Sequence, residues 1–123
     1  MKIRIKGNSL RLRLTKPEVE TFAQIGEIEE KIDFGGSYLV YSLQSQKDIK
    51  EISATFNVNK ITVWMPESTK HEWTNSDTIG YEGKKDIGNQ KSLYIVVEKD
   101  FACMDNTLED QSDNYPNPKA VVC

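Results

Sequence analysis

A chain of 123 residues with 37% hydrophobic and 28% charged side chains and a formal net charge of -3 carries enough apolar material for one domain with a single modest core, and too much for a disordered one. No apolar run approaches the roughly 20 residues that cross a bilayer as a helix, and the first residues alternate instead of building a signal segment, which points to the cytoplasm. The two cysteines, Cys103 and Cys123, have neither CxxC spacing nor a framework of partners, which argues against a disulfide-stapled secreted scaffold, and both are read as free thiols.

Residues 2–14, KIRIKGNSLRLRL, alternate strictly on both sides of Gly7-Asn8, the pattern of a hairpin with a type II′ turn. That turn sets Ile5 opposite Leu10, Arg4 opposite Arg11, Ile3 opposite Leu12 and Lys2 opposite Arg13, so one face is aliphatic and the other cationic. Thr15-Lys-Pro-Glu18 has capping-box spacing with Pro17 in the first turn. A short helix is expected to follow, with Val19, Phe22 and Ala23 as its apolar stripe and Gly26 as its left-handed C-terminal residue. From Glu27 to Phe34 the period changes to two, and Gly35-Gly36 turns the chain into residues 37–43, a second hairpin. A third is read from Ile52, Ala54, Phe56 and Val58, which alternate up to Asn59-Lys60, and from the return strand Ile61, Val63 and Met65, closed by Pro66.

Residues 66–77, polar around Trp73, suit one or two helical turns. Residues 78–81 read as a short strand, 82–91 as a turn-rich loop, and 92–97, apolar on both faces, as a central strand or one covered on both sides. The body is therefore residues 1–101, followed by an irregular C-terminal strap at 102–123 that holds CMDNTLEDQSDNYPNP. Hairpins with one short N-terminal helix place the chain in the α+β or mainly-β class, as an antiparallel sheet or a partly open barrel. No repeat at solenoid periods is found.

The charges divide by region. Residues 1–16 carry Lys2, Arg4, Lys6, Arg11, Arg13 and Lys16 and no acid, whereas residues 98–123 carry Glu98, Asp100, Asp105, Glu109, Asp110 and Asp113 against Lys99 and Lys119. Arg4 facing Arg11 in a hairpin demands a counter-anion, since like charges directly opposite repel. The 27–33 strand, the acidic strap or an outside ligand could each supply it. The anion-binding candidates are thus Lys2, Arg4, Arg11 and Arg13. Nucleic acid is disfavoured by the negative net charge and by the lack of aromatics among the basic residues.

Other constellations are weaker. An EF-hand beginning at Asp105 would put Asp110 where Gly is required and Pro116 where the bidentate Glu belongs. A soft-metal site would need Cys103, Cys123 and His71 together without any spacing that pre-positions them. His71, the one histidine, stands in a polar segment and reads as a surface residue. Trp64 falls opposite the aliphatic set of its strand, where it could line a pocket or a contact between copies.

Glu27-Ile-Glu-Glu-Lys31 resembles the ExExK strand of the triphosphate tunnel metalloenzymes, although there the pattern opens the chain and here LRLRL precedes it. The resemblance implies a metal held by Glu27 and Glu29, with Lys31, Lys2, Arg4, Arg11 and Arg13 on phosphate oxygens, all converging in one cavity. KIRIKGNSLRLRLTKPEVETFA and EKDFACMDNTLEDQSDNYPNP are similar to a family of small uncharacterised bacterial proteins, which implies no activity or site residues. The expected function is a binding or accessory module with an anion-facing basic hairpin, taking a small anion or a protein partner. A metal-dependent phosphate or polyphosphate hydrolase is the alternative. No cofactor is evident, a divalent metal entering only under that alternative. Unpaired strand edges leave a homodimer open.

Overall fold

The structure, a computed structural model, describes residues 1–101 and 115. The strap at 102–123, with Cys103, Cys123 and the acids 105–113, therefore falls outside the described residues apart from Tyr115, which is exposed. Among the described residues, eight strands and two helices follow in the order β1 (Lys2–Lys6), β2 (Ser9–Leu14), α1 (Lys16–Ile25), β3 (Glu27–Asp33), β4 (Tyr38–Gln46), β5 (Ser53–Asn57), β6 (Lys60–Pro66), α2 (Glu67–Thr74), β7 (Gly80–Gly88) and β8 (Lys91–Lys99).

The hairpin β1–β2 has the register that its alternation and turn dictate, from Lys2 opposite Arg13 to Lys6 opposite Ser9. Gly7 has φ +55 while Asn8 stays negative, as a II′ turn requires. Helix α1 starts at a formed capping box between Thr15 and Glu18, buries Val19 and Phe22, and ends at Gly26 with φ 84. A Cβ at Gly26 would stand 2.9 Å from the Ser45 hydroxyl and 3.8 Å from the Lys70 amine. The buried Lys70 thus lies beside the C-terminus of α1, where a cation is favoured.

The strands form two four-stranded sheets, β1-β2-β8-β7 and β3-β4-β6-β5, with antiparallel hairpins outside and a parallel pair at each centre, β2 with β8 and β4 with β6. This corrects the all-antiparallel expectation: the sheets are mixed, and no barrel closes among the described residues. The reason is topological. Each helix returns the chain to the other sheet, so the second strand of one hairpin lies alongside the second strand of the other. The apolar stripes of the two sheets, Leu10, Leu12, Leu14, Ile95 and Val97 against Leu43, Val63, Met65 and Ala54, form the core, and Phe22 and Trp73 close one end of it.

Two local readings need correction, and a third is decided between its alternatives. Strand β7 occupies Gly80–Gly88, taking in most of the segment expected to be a loop. Its strand character comes from pairing with β8 and is broken by a bulge between Asp86 and Gly88. Strand β8 is central, the first of the two alternatives read for it, and Tyr94 on its outer face is 51% exposed, so the second does not apply. Val58 belongs to the β5–β6 turn with φ 44, not to the strand.

The chain also contains a duplication absent from the sequence reading. The β5–β6 register repeats that of β1–β2 pair by pair at a displacement of 51 positions, Lys2–Arg13 becoming Ser53–Trp64 and Lys6–Ser9 becoming Asn57–Lys60. The bond from Val40 N to Asn59 O (2.9 Å) has its twin from Tyr94 N to Asn8 O (3.1 Å), and that from Ser45 N to Gly26 O (2.9 Å) its twin from Lys99 N to Ile79 O (2.9 Å). Glu29-x-Lys31-x-Asp33-x-Gly35 recurs as Glu82-x-Lys84-x-Asp86-x-Gly88, with Gly35 N and Gly88 N donating to Asp33 Oδ1 and Asp86 Oδ1 at 2.8 and 2.9 Å. Two strand-strand-helix-strand-strand units are therefore interleaved, each lending one hairpin to each sheet. Phe22 and Trp73, equivalent residues, meet edge to face across the pseudo-twofold at 6.2 Å.

Candidate functional site

In a two-sheet sandwich the inner faces make the core, so recognition chemistry must come from the outer faces, the edges or the ends. The duplication makes the two outer faces equivalent in backbone, and their side chains can be compared position by position.

On the first sheet, the outer face of β1, β2 and β8 carries Lys2, Arg4, Arg11, Arg13 and Glu98. Glu98 is 1% exposed although it points away from the core. Its Oε1 accepts from Arg13 Nε at 2.7 Å and lies 2.8 Å from Arg11 Nη1. Asp100, just past β8, pairs with Lys2 Nζ at 2.8 Å, and its backbone N–H donates to Leu14 O at 2.8 Å. Two of the six acids counted in the C-terminal region thus reach the cationic hairpin, because β8 runs parallel to β2 and brings Glu98 level with Arg13. The fit also explains Gly80. A Cβ there would meet Val97 O at 2.2 Å and Glu98 Cα at 2.7 Å, so only glycine lets β7 lie against the strand that presents Glu98. Sequence reasoning placed the four cations on one face and missed Glu98 as their centre. The signal was its position within the strand-like run ending at Lys99.

On the second sheet the equivalent outer face is neutral wherever this cluster is ionic. Lys2, Arg4, Arg11 and Arg13 correspond to Ser53, Thr55, Thr62 and Trp64, and Glu98 and Asp100 to Gln44 and Gln46. There the Trp64 indole N–H donates to Thr55 Oγ1 at 3.0 Å, and the buried Ser42 and Thr62 hydroxyls lie 3.5 Å apart. Glu27 and Glu29 share this face, Glu29 pairing with Lys60 at 3.3 Å. Glu27, Glu29 and Lys31 therefore stand on the opposite side of the sandwich from Lys2, Arg4, Arg11 and Arg13, and the seven side chains do not share a cavity. Among the described residues no group of three or more His, Cys, Asp or Glu side chains is placed to hold a metal. His71 is exposed and lies 4.0 Å from Glu67 one helical turn away.

The corners between the sheets have diverged as well. At one, the Met1 ammonium is held by Glu18 and, at 2.8 Å, by Glu30, while the Tyr41 hydroxyl donates to Met1 O at 2.9 Å. Burial disfavours the charged amine, but the hydrogen bonds and charges of Glu18 and Glu30 outweigh it and hold its pKa above the ordinary value. At the other corner Ile52, Thr69 and Gly83 take the places of Met1, Glu18 and Glu30. They line a depression of about 340 Å³ with Lys50, Glu51 and Lys84 at its rim.

Among the described residues no helix is long and apolar enough to cross a membrane. Neither the curated proteins nor the solved structures contain a match to the chain. A family model described as a family of unknown function, DUF7009, matches residues 1–119, and the chain belongs to that family.

Proposed function

We propose that the protein is a binding module whose recognition surface is the ionic outer face of the first sheet, and that it takes a carboxylate-rich polypeptide segment. The observation that carries this reading is the asymmetry between twin faces: the same backbone is built with neutral residues at Ser53, Thr55, Thr62, Trp64, Gln44 and Gln46, so the charges of the first face are not required to make the fold. Glu98 illustrates how the face holds a carboxylate, between two guanidinium groups whose planar donors suit it. Cations on alternate residues of a strand recur about every 7 Å, the repeat of side chains along one face of an extended peptide.

A second reading is favoured by the anchoring of Asp100 at the rim of this face. The chain's own Asp105, Glu109, Asp110 and Asp113, outside the described residues, follow within thirteen positions and would compete for the same surface. Titration calorimetry with a poly-glutamate peptide, poly-lysine and inorganic phosphate tests both. The full chain is expected to bind poly-glutamate, about tenfold more weakly after Lys2→Ser with Arg4→Thr, and not poly-lysine. Tighter binding on truncation after Phe101 would mark the chain's own acids as the competitor. Phosphate binding as tight as that of the peptide would make the ligand a small anion instead. Failure of poly-glutamate to bind both the full and the truncated chain would remove the proposal.

A further inference from the structure

The sandwich has unequal ends. Where the helices lie, Phe22 and Trp73 cap the core; at the other end four hairpin turns come together, at Gly7-Asn8, residues 34–37, Val58-Asn59 and Asn89-Gln90. All four are there because the central strands β2, β8, β4 and β6 start at this end and run toward the helices. Between the turns the inner stripes of both sheets emerge as a groove of about 360 Å³, whose apolar lining includes Ile5, Leu10, Leu39, Phe56, Ile61 and Leu93. These are three pseudo-symmetric pairs, Ile5 with Phe56, Leu10 with Ile61 and Leu39 with Leu93, so the groove straddles the pseudo-twofold.

Around it stand apolar side chains that the fold does not use. Val58 is 95% exposed, Phe34 67%, Phe56 66% and Ile5 59%. Val58 is also a β-branched residue at φ 44, where its counterpart in the first unit is Gly7 at φ 55. A valine in that region is strained where a glycine is not. Nothing among the described residues packs on it in return. One unit therefore keeps the residue that the turn prefers, and the other replaces it with an exposed apolar side chain.

We infer that this end is the interface of a homodimer, in which the turns of one copy seat in the groove of a second copy. Two observations single out a second copy as the occupant. Projecting side chains and a receiving groove lie on the same patch, as an isologous contact requires. With about 150 to 200 Å² for each fully exposed side chain, Ile5, Phe34, Phe56, Val58 and Ile87 leave roughly 600 Å² uncovered, the upper limit of an ordinary monomer's largest apolar patch and most of the ~800 Å² that one partner brings to a specific interface. The outer face of the first sheet stays clear of this contact, so one dimer carries two ionic surfaces.

Sedimentation equilibrium and hydrogen exchange of the full chain test the inference. The parent is expected to reach twice its 14.1 kDa as concentration rises through the micromolar range. Val58→Asp and Phe56→Asp, both on exposed positions, are expected to weaken the dimer at least tenfold with unchanged circular dichroism. In the parent, the amides around residues 5–10 and 56–61 should gain protection with concentration, a readout that does not depend on any variant folding. A parent that stays at the monomer mass at about 200 μM would overturn the proposal. So would a dimer that persists in both folded variants, or concentration-dependent protection confined to other strands.

Discussion

Met1 and Ile52 occupy equivalent corners and are both buried, yet their surroundings differ as an ammonium differs from a peptide chain running on. Glu18 and Glu30 face the charged amine; Thr69 and Gly83 stand in their places where the chain continues, and a Cβ on Gly83 would meet Ile52 O at 2.9 Å. The pair has a defined pH window. The amine's pKa is raised above 8.0, so its stabilising contribution is complete below that pH and is lost as pH rises through the raised value. For Glu18, burial opposes the carboxylate, but bonds from the Met1 amine, the Thr15 backbone and the Thr15 hydroxyl lower its pKa below 4.5. Its contribution is complete above 4.5 and is lost as pH falls through the lowered value. Glu18→Gln should therefore cost about 1 to 2 kcal/mol between these limits, since it weakens both the ion pair and the capping box, and less on either side. Urea denaturation across the pH range checks this; a difference independent of pH would refute it.

At the scale of elements, the three N-terminal hairpins and α1 were legible because their information is local: alternation, a Gly or Asn turn, a capping box. Strand β7 was not. Its sequence GYEGKKDIG holds three glycines, and at least two of them answer to other parts of the chain, Gly80 to the approach of Glu98 and Gly83 to that of Ile52. The parallel central pairs were illegible for the same reason, since no local pattern distinguishes a strand's parallel partner from an antiparallel one. Val58 misled the reading in the opposite direction, its β-branched side chain counting toward a strand that ends at Asn57. Val58→Gly in a Phe56→Asp background, compared at concentrations where both sediment as monomers, should raise stability by about 1 kcal/mol, the relief of left-handed strain less the entropy that glycine adds to the unfolded chain. A stability equal to or below that of the background would show that the turn tolerates valine without cost.

For the whole molecule, duplication turns one half into a control for the other. It left sequence traces, Asn8 and Asn59 before equivalent strands and the repeated Glu-x-Lys-x-Asp-x-Gly, but the outer faces have diverged too far for those traces to stand out. The cationic set was legible because alternation assigns Lys2, Arg4, Arg11 and Arg13 to one face. Its centre was not, because Glu98 joins that face only through a parallel pairing across 85 positions.

The central claim, that these charges serve recognition and not the fold, is tested most directly by chemical denaturation of a variant in which Arg11→Thr, Arg13→Trp and Glu98→Gln are combined, giving the first face the residues of the second at its buried centre. Glu98→Gln alone should cost about 3 to 5 kcal/mol, because it leaves buried guanidinium groups beside a neutral amide. The triple variant is expected to recover to within about 1 kcal/mol of the parent while losing its affinity for poly-glutamate. A triple variant that unfolds as readily as Glu98→Gln alone would contradict the claim and make the ionic cluster part of what holds the sandwich together.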